Sequence, residues 1–203
     1  MCKSIKAENF EFQVPSDLFA GNVIAAFGRA LTDKIEQAVC KVTGLSQSAC
    51  YAIVTVGTEA GSSIETLRRM LSLEHSSLVR LLNRLEGYGL LERVRGSGED
   101  QRVVKIYLTD DGEQCFNKIL DTRREVVGEV LGVLSADERD LMVRIVAKMM
   151  PRAVVPGDDQ HFVCRLCDLE VCPQEACPVN LAFPEFFELP DQPFRRNQVR
   201  AQH

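Results

Sequence analysis

The chain has 203 residues, 45% of them hydrophobic and 26% charged, a balance that excludes wholesale disorder. At roughly 100–200 residues per domain, the length admits one domain with an appendage or two compact units, and it can bury a core without disulfide staples. The formal charge of −5 excludes a chain that is basic throughout, but not one whose cations are gathered in a single element.

In chain order, Ser16-Asp17 can cap a helix with Phe19, Val23, Phe27, Ala30 and Leu31 on one face, running to about Val39. Gly44 breaks it, and Ser46 can cap a second helix through Ala49, Ile53 and Val56 that stops at Gly61. Ser62 and Glu65 have capping-box spacing, opening a short helix with Ile64, Leu67, Met70 and Leu71 on one side. After Ser72-Leu73-Glu74, a helix from about His75 to Tyr88 carries Leu78, Leu81, Leu82 and Leu85 as a single stripe. Ser76, Arg80, Asn83 and Arg84 fall on its opposite side.

Leu90 to Arg95 and Arg102 to Leu108 read as strands joined by the glycine-rich turn Gly96-Ser97-Gly98-Glu99-Asp100, hence a β-hairpin. Thr109 caps a long helix through Phe116, Ile119, Leu120, Val127 and Leu131. Ser135 and Glu138 form a second capping box, opening a helix that ends at Met149-Met150-Pro151. Beyond that point, prolines and cysteines crowd a stretch with no long periodicity. The expected division is therefore 1–150 for a helical body and 151–203 for a tail.

This order, mainly α with a small hairpin, is that of a winged helix-turn-helix flanked by dimerisation helices. Residues 62–109 hold eight basic and six acidic residues, a local +2 within an acidic chain. Arg80 and Arg84 lie on the polar face of the second helix, and Arg93, Arg95, Arg102 and Lys105 lie along the hairpin. A helix fits the major groove, and a hairpin reaches the neighbouring backbone or minor groove. DNA contact is the function this pattern predicts.

The stretch Arg80-Leu81-Leu82-Asn83-Arg84-Leu85-Glu86, the lead-in Gly89-Leu90-Leu91-Glu92-Arg93, the wing residues Asp100-Gln101-Arg102, and Leu108-Thr109 followed by Gly112 resemble the MarR family of bacterial transcriptional regulators. The resemblance covers about residues 18–150. It implies an obligate homodimer with intertwined terminal helices, binding a pseudo-palindromic double-stranded operator and usually repressing. By the same match, Ser76, Ser77 and Arg80 make recognition-helix contacts, and Arg102 is the wing arginine, held by Asp100. Val79 stands where many members carry a hydroxyl residue, so no contact is assigned to it. Members often bind a small phenolic or other anionic effector, which nothing in this sequence identifies.

Cys164, Cys167, Cys172 and Cys177 lie within fourteen residues, while Cys2, Cys40, Cys50 and Cys115 are scattered. No run reaches the ~18 apolar residues of a membrane span and no signal peptide is evident, so a cytoplasmic protein without a membrane partner is expected. In a reducing compartment such a cluster reads as metal binding or redox chemistry. Four thiolates can close around zinc in a structural site. An iron–sulfur cluster uses the same ligands, and two disulfides formed on oxidation are the third reading. The scattered Cys40, Cys50 and Cys115 are expected to be core residues.

A dimeric DNA-binding repressor leads the functional readings. Against an enzyme stand three histidines, no glycine-rich phosphate loop and no nucleophile motif. A cysteine-ligated redox protein and a winged-helix adaptor that never touches DNA are the alternatives.

Overall fold

The structure is a computed structural model describing residues 16–95, 104–154, 163–169, 171–172 and 177–182. In chain order the elements are α1 (Asp17–Thr43), α2 (Gln47–Thr58), β1 (Ser62–Ser63), α3 (Ile64–Met70), α4 (His75–Gly87), β2 (Leu91–Arg95), β3 (Val104–Leu108), α5 (Asp110–Leu131), α6 (Ala136–Ala153) and α7 (Pro178–Ala182). The described chain is mostly helical with one small antiparallel sheet of order β1-β3-β2, the class that the sequence predicts.

Two compact units divide it, 1–34 and 35–203. In the first, Ser16 Oγ accepts the Phe19 amide at 3.2 Å to start α1, and Arg29 pairs with Asp33 one turn on at 2.8 Å. The second holds the end of α1, all later helices, the sheet and the described part of the tail.

Polar caps fix where helices begin. Ser46 Oγ accepts the Ala49 amide at 3.4 Å, and Thr109 Oγ1 accepts the Gly112 amide at 3.1 Å. Ser135 and Glu138 satisfy each other's amides as a full capping box. The box expected at Ser62 does not form. Ser62 instead pairs with Ile106 in the sheet, Ser63 caps α3 through the Thr66 amide at 3.1 Å, and Glu65 turns to Arg68 at 2.8 Å. An edge strand thus claims the residue that local spacing assigned to a cap. Two further differences are small: α1 runs to Thr43, and α6 carries Pro151 inside its last turn and continues to Ala153.

The core sits where α2, α3, α4, α5 and the sheet meet. Ile53, Leu67, Leu78, Ile106, Phe116 and Ile119 are all essentially inaccessible there. Cys50 is buried among them, as expected, and Cys40 and Cys115 pack against the edge of this core. Burial pushes the Cys50 thiol up to about 12, opposed by its contact with Thr43 Oγ1 at 3.5 Å. That thiol stays protonated and unreactive.

The junction from β3 into α5 is set by close approach. A Cβ on Gly112 would lie 2.0 Å from the Leu90 carbonyl oxygen, which itself accepts the Thr109 amide at 3.2 Å. Backbone cannot yield as a side-chain tip does. Gly112→Ala should therefore destabilise by at least about 1–3 kcal/mol. Gly128→Ala, in the same helix with nothing within 4 Å of the new methyl, should stabilise by about 0.5–1 kcal/mol. Urea melts of the two variants check the opposite signs.

Candidate nucleic-acid interface

The turn between α3 and α4 is built from backbone. The Ser72 amide donates to Arg69 O at 3.0 Å and the Leu73 amide to Arg68 O at 3.1 Å, with Ser72 in the left-handed region at φ 50°. That is a Schellman ending, in which one residue reverses the chain and still satisfies the last carbonyls. The same device closes α4, with Gly89 at φ 72°, its amide on Glu86 O at 2.9 Å and the Leu90 amide on Leu85 O at 3.0 Å. Both ends of α4 are therefore fixed relative to the sheet and α3.

On α4 itself, Leu78, Leu81, Leu82 and Leu85 are buried. The 3.6-residue period then leaves Ser76, Ser77, Arg80, Asn83 and Arg84 on the outer side, and all five are exposed. Arg80 and Arg84 make no ion pair among the described residues, whereas Arg68 on α3 is neutralised by Glu65. Glu74 precedes α4 without a side-chain cap, so the first-turn amides have no side chain competing for them.

The hairpin joins this face through Arg93. From β2 its guanidinium donates to Asn83 Oδ1 at 2.7 Å and to Glu86 on α4. Sequence spacing singled out Arg93 only as one more hairpin cation, because its partners lie seven and ten residues back across a helix end. Asn83, assigned to DNA by its position, has its carbonyl engaged by this tether. Arg95 ends β2 exposed, opposite Val104. Asp100 and Arg102 lie outside the described residues.

The tail cysteines form a second group. Cys164 and Cys167 share a tight turn closed by the Cys167 amide on Cys164 O at 2.7 Å, and none of the described cysteines is in a disulfide. The Cys164 thiol hydrogen-bonds Cys167, which pulls Cys167 down to about 6, helped by Arg123, and pushes Cys164 up. Cys172 is raised chiefly by burial and also hydrogen-bonds Cys177, which is buried at the start of α7. The sulfurs thus stand as two pairs, and no three acidic, histidine or cysteine side chains among the described residues meet as a metal-holding group.

Comparison with known proteins agrees with this geometry. The sequence model of the family described as "Transcriptional regulator SarA/Rot" matches residues 34–119. The HTH-type transcriptional regulator YdgJ of Bacillus subtilis is 28% identical over 107 residues, covering 53% of this chain and 65% of the relative. The transcriptional repressor MprA of Escherichia coli is 25% identical over 114 residues, 55% of this chain and 64% of MprA. The match thus spans just under two thirds of either relative. Among solved structures, YusO of Bacillus subtilis superposes with a TM-score of 0.58 at 19% identity, over 70% of this chain and all of YusO. A MarR-family regulator from Silicibacter pomeroyi gives 0.50 at 22%, over 68% and 92% of the two chains. A Staphylococcus aureus MepR variant bound to an oligodeoxyribonucleotide gives 0.51 at 17%, over 66% and 98%.

The chain thus resembles winged-helix transcriptional regulators, and its fold is that of the MarR-family structures. By that likeness α3 and α4 correspond to the helix-turn-helix, with α4 in the place of a recognition helix, and β2 and β3 correspond to the wing. The Gly112 of the sequence motif is explained by the Leu90 carbonyl it must clear.

Arg93 ties β2 to α4 through its contacts with Glu86 and Asn83. Its pair with Glu86 is partly exposed, with side-chain accessibilities of 27% and 40%, so Arg93→Met should cost no more than about 1 kcal/mol of stability. Backbone hydrogen exchange over Leu91–Arg95 should nonetheless accelerate. Exchange mass spectrometry beside a denaturant melt separates the two effects, and unchanged exchange would show that the tether does not hold the wing.

Proposed function

We propose that this protein is a dimeric, sequence-specific DNA-binding transcriptional repressor rather than an enzyme. The observation that carries the reading is the outer face of α4, where Arg80 and Arg84 stand exposed and unpaired among the described residues, beside Ser76 and Ser77, over a leucine-packed back. In this reading α4 enters the major groove and Arg80 meets a base edge or clamps the backbone. Arg95 and, by the family match, Arg102 oriented by Asp100 reach the flanking minor groove or phosphates. Asn83 acts through Arg93.

The dimer is supported by apolar surface that the single chain leaves uncovered. Helix α6 buries none of its residues, and Leu141, Val143, Ile145, Val146 and Met149 are among its exposed positions. On α1, Val23, Ile24 and Phe27 are half exposed or more. Terminal helices that intertwine with a second copy would bury these faces and set two recognition helices one DNA turn apart. Release by a small anionic effector, and action in the cytoplasm, complete the proposal. No single described helix is long and apolar enough to cross a membrane.

Two measurements test it. In gel shifts with fragments of its own genome, the protein should select a two-fold-related site, and binding should fall steeply with salt as counterions are released. Arg80→Ala should leave the circular dichroism spectrum unchanged and weaken selected-site binding by about 1–3 kcal/mol. Absence of any salt-dependent DNA binding would leave the adaptor reading in its place. In sedimentation, the wild type should run as a dimer and the double variant Leu141→Asp/Ile145→Asp as a monomer with much weaker operator binding. A monomeric wild type would refute the dimer.

A further inference from the structure

We propose that Cys164, Cys167, Cys172 and Cys177 form a thiolate metal centre that locks the tail across α2 and α5. The donor set is the first argument. Four cysteines occur within fourteen residues, all outside any disulfide, with Cys177 buried and the other three half-buried. Cys164 and Cys167 sit on one tight turn, and Cys172 is near enough to Cys177 for the two thiols to influence each other. Among the described residues these sulfurs do not already meet as a metal-holding group, so the centre forms by drawing the two pairs together. All-sulfur sets of this kind select zinc or an iron–sulfur cluster over harder ions.

The surroundings suit a negatively charged thiolate centre. The Arg123 guanidinium of α5 is close enough to favour the charged form of Cys167, and a cation beside a thiolate site is the kind of outer partner that supports a ligating sulfur. One residue on, Asp168 receives Arg124 of α5 at 3.2 Å. Arg165 lies over the Tyr51 ring of α2, 4.4 Å from its centroid, while Tyr51 donates to Glu36 and accepts from Gln47 at 2.7 Å. Leu166 packs on the edge of the core. Arg165, Leu166 and Asp168, on either side of Cys167, therefore touch the body, and Cys177 heads α7, which packs on α6.

Among the described residues of the tail, helix is confined to the end of α6, Val163-Cys164 and α7. Ion contacts with one partner exposed, such as Arg124–Asp168, add little to the hold on a loop. Closing both cysteine pairs on one centre would supply the missing constraint, as metal does in small folds without a core. Since α2 packs directly on α3 and α4, the locked tail braces the back of the helix-turn-helix.

The test uses the full chain purified anaerobically under reductant. Elemental analysis should give about one zinc per chain in a colourless preparation. Iron with acid-labile sulfide and visible absorption would assign the same four thiolates to an iron–sulfur cluster and sustains the centre. Cys167→Ser and Cys172→Ser should each lose most of the metal, while Cys40→Ser keeps it. Chelation of the wild type should accelerate hydrogen exchange at 163–169 and around Tyr51, while β3 and the first half of α5 stay protected. Neither zinc nor iron in the wild type, or full metal content in both tail variants, overturns the site. Unchanged exchange at 163–169 on metal removal overturns the lock. None of these readouts involves DNA, so their failure is distinct from failure of the repressor reading.

Discussion

Burial of four leucines on one side of α4 is the constraint on which the interface depends. Leu78, Leu81, Leu82 and Leu85 face the core and are nearly or wholly inaccessible. Burying side chains of this size contributes about 1.5–3 kcal/mol each. Rotating α4 by even one residue position, 100°, would expose part of that stripe and bury arginine without a partner. The cations are therefore held outward by the cost of the alternative, and no contact of their own is needed to place them. This is why Arg80 and Arg84 can stay free for a ligand while the helix remains rigid.

Rotation is fixed by the leucines, but translation and tilt are fixed by the two Schellman endings and by Gly112. Ser72 accepts a left-handed conformation that glycine would adopt without cost, which places the α3–α4 turn among the few strained points of the described backbone. The wing depends on α5 in turn: Thr109 caps α5 and also donates to Gly89 O, so the end of α4, the start of β2 and the start of α5 share one hydrogen-bonded corner. The arrangement couples α4 and the β2–β3 strands through backbone, with Arg93 adding the side-chain tie.

Much of this was legible in the sequence because it is local. The leucine stripe, the caps at Ser46, Thr109 and Ser135, and the glycine after α4 each declare themselves within one or two helical turns. What escaped was non-local. Ser62 belongs to β1 only because Ile106, more than forty residues on, offers it an edge. The Arg93 tether and the Arg165–Tyr51 stack join residues whose spacing carries no periodic signal. The cysteine motif is the reverse case: its spacing is explicit in the sequence, but spacing names the donors and not the closed geometry, and the described sulfurs stand as pairs.

The charge balance places a further demand on the proposed DNA binding. With a chain at −5 overall, the field at long range repels a polyanion, and attraction must come from cations close to the phosphates, within a Debye length of about 8 Å at physiological salt. One copy offers few of these among the described residues of α4 and the hairpin strands: Arg80 and Arg84, with Arg95 on β2 and Lys105 on β3. Non-specific affinity of a single copy would therefore be weak, since each neutralised phosphate adds only its share of counterion release. A second copy doubles the set and turns the second contact into an intramolecular one, where effective concentration rather than new chemistry supplies the affinity. On the proposed function, the uncovered apolar faces of α1 and α6 and the sparse cations of α4 are complementary parts of one requirement: an acidic chain of this kind would bind DNA well only as a pair.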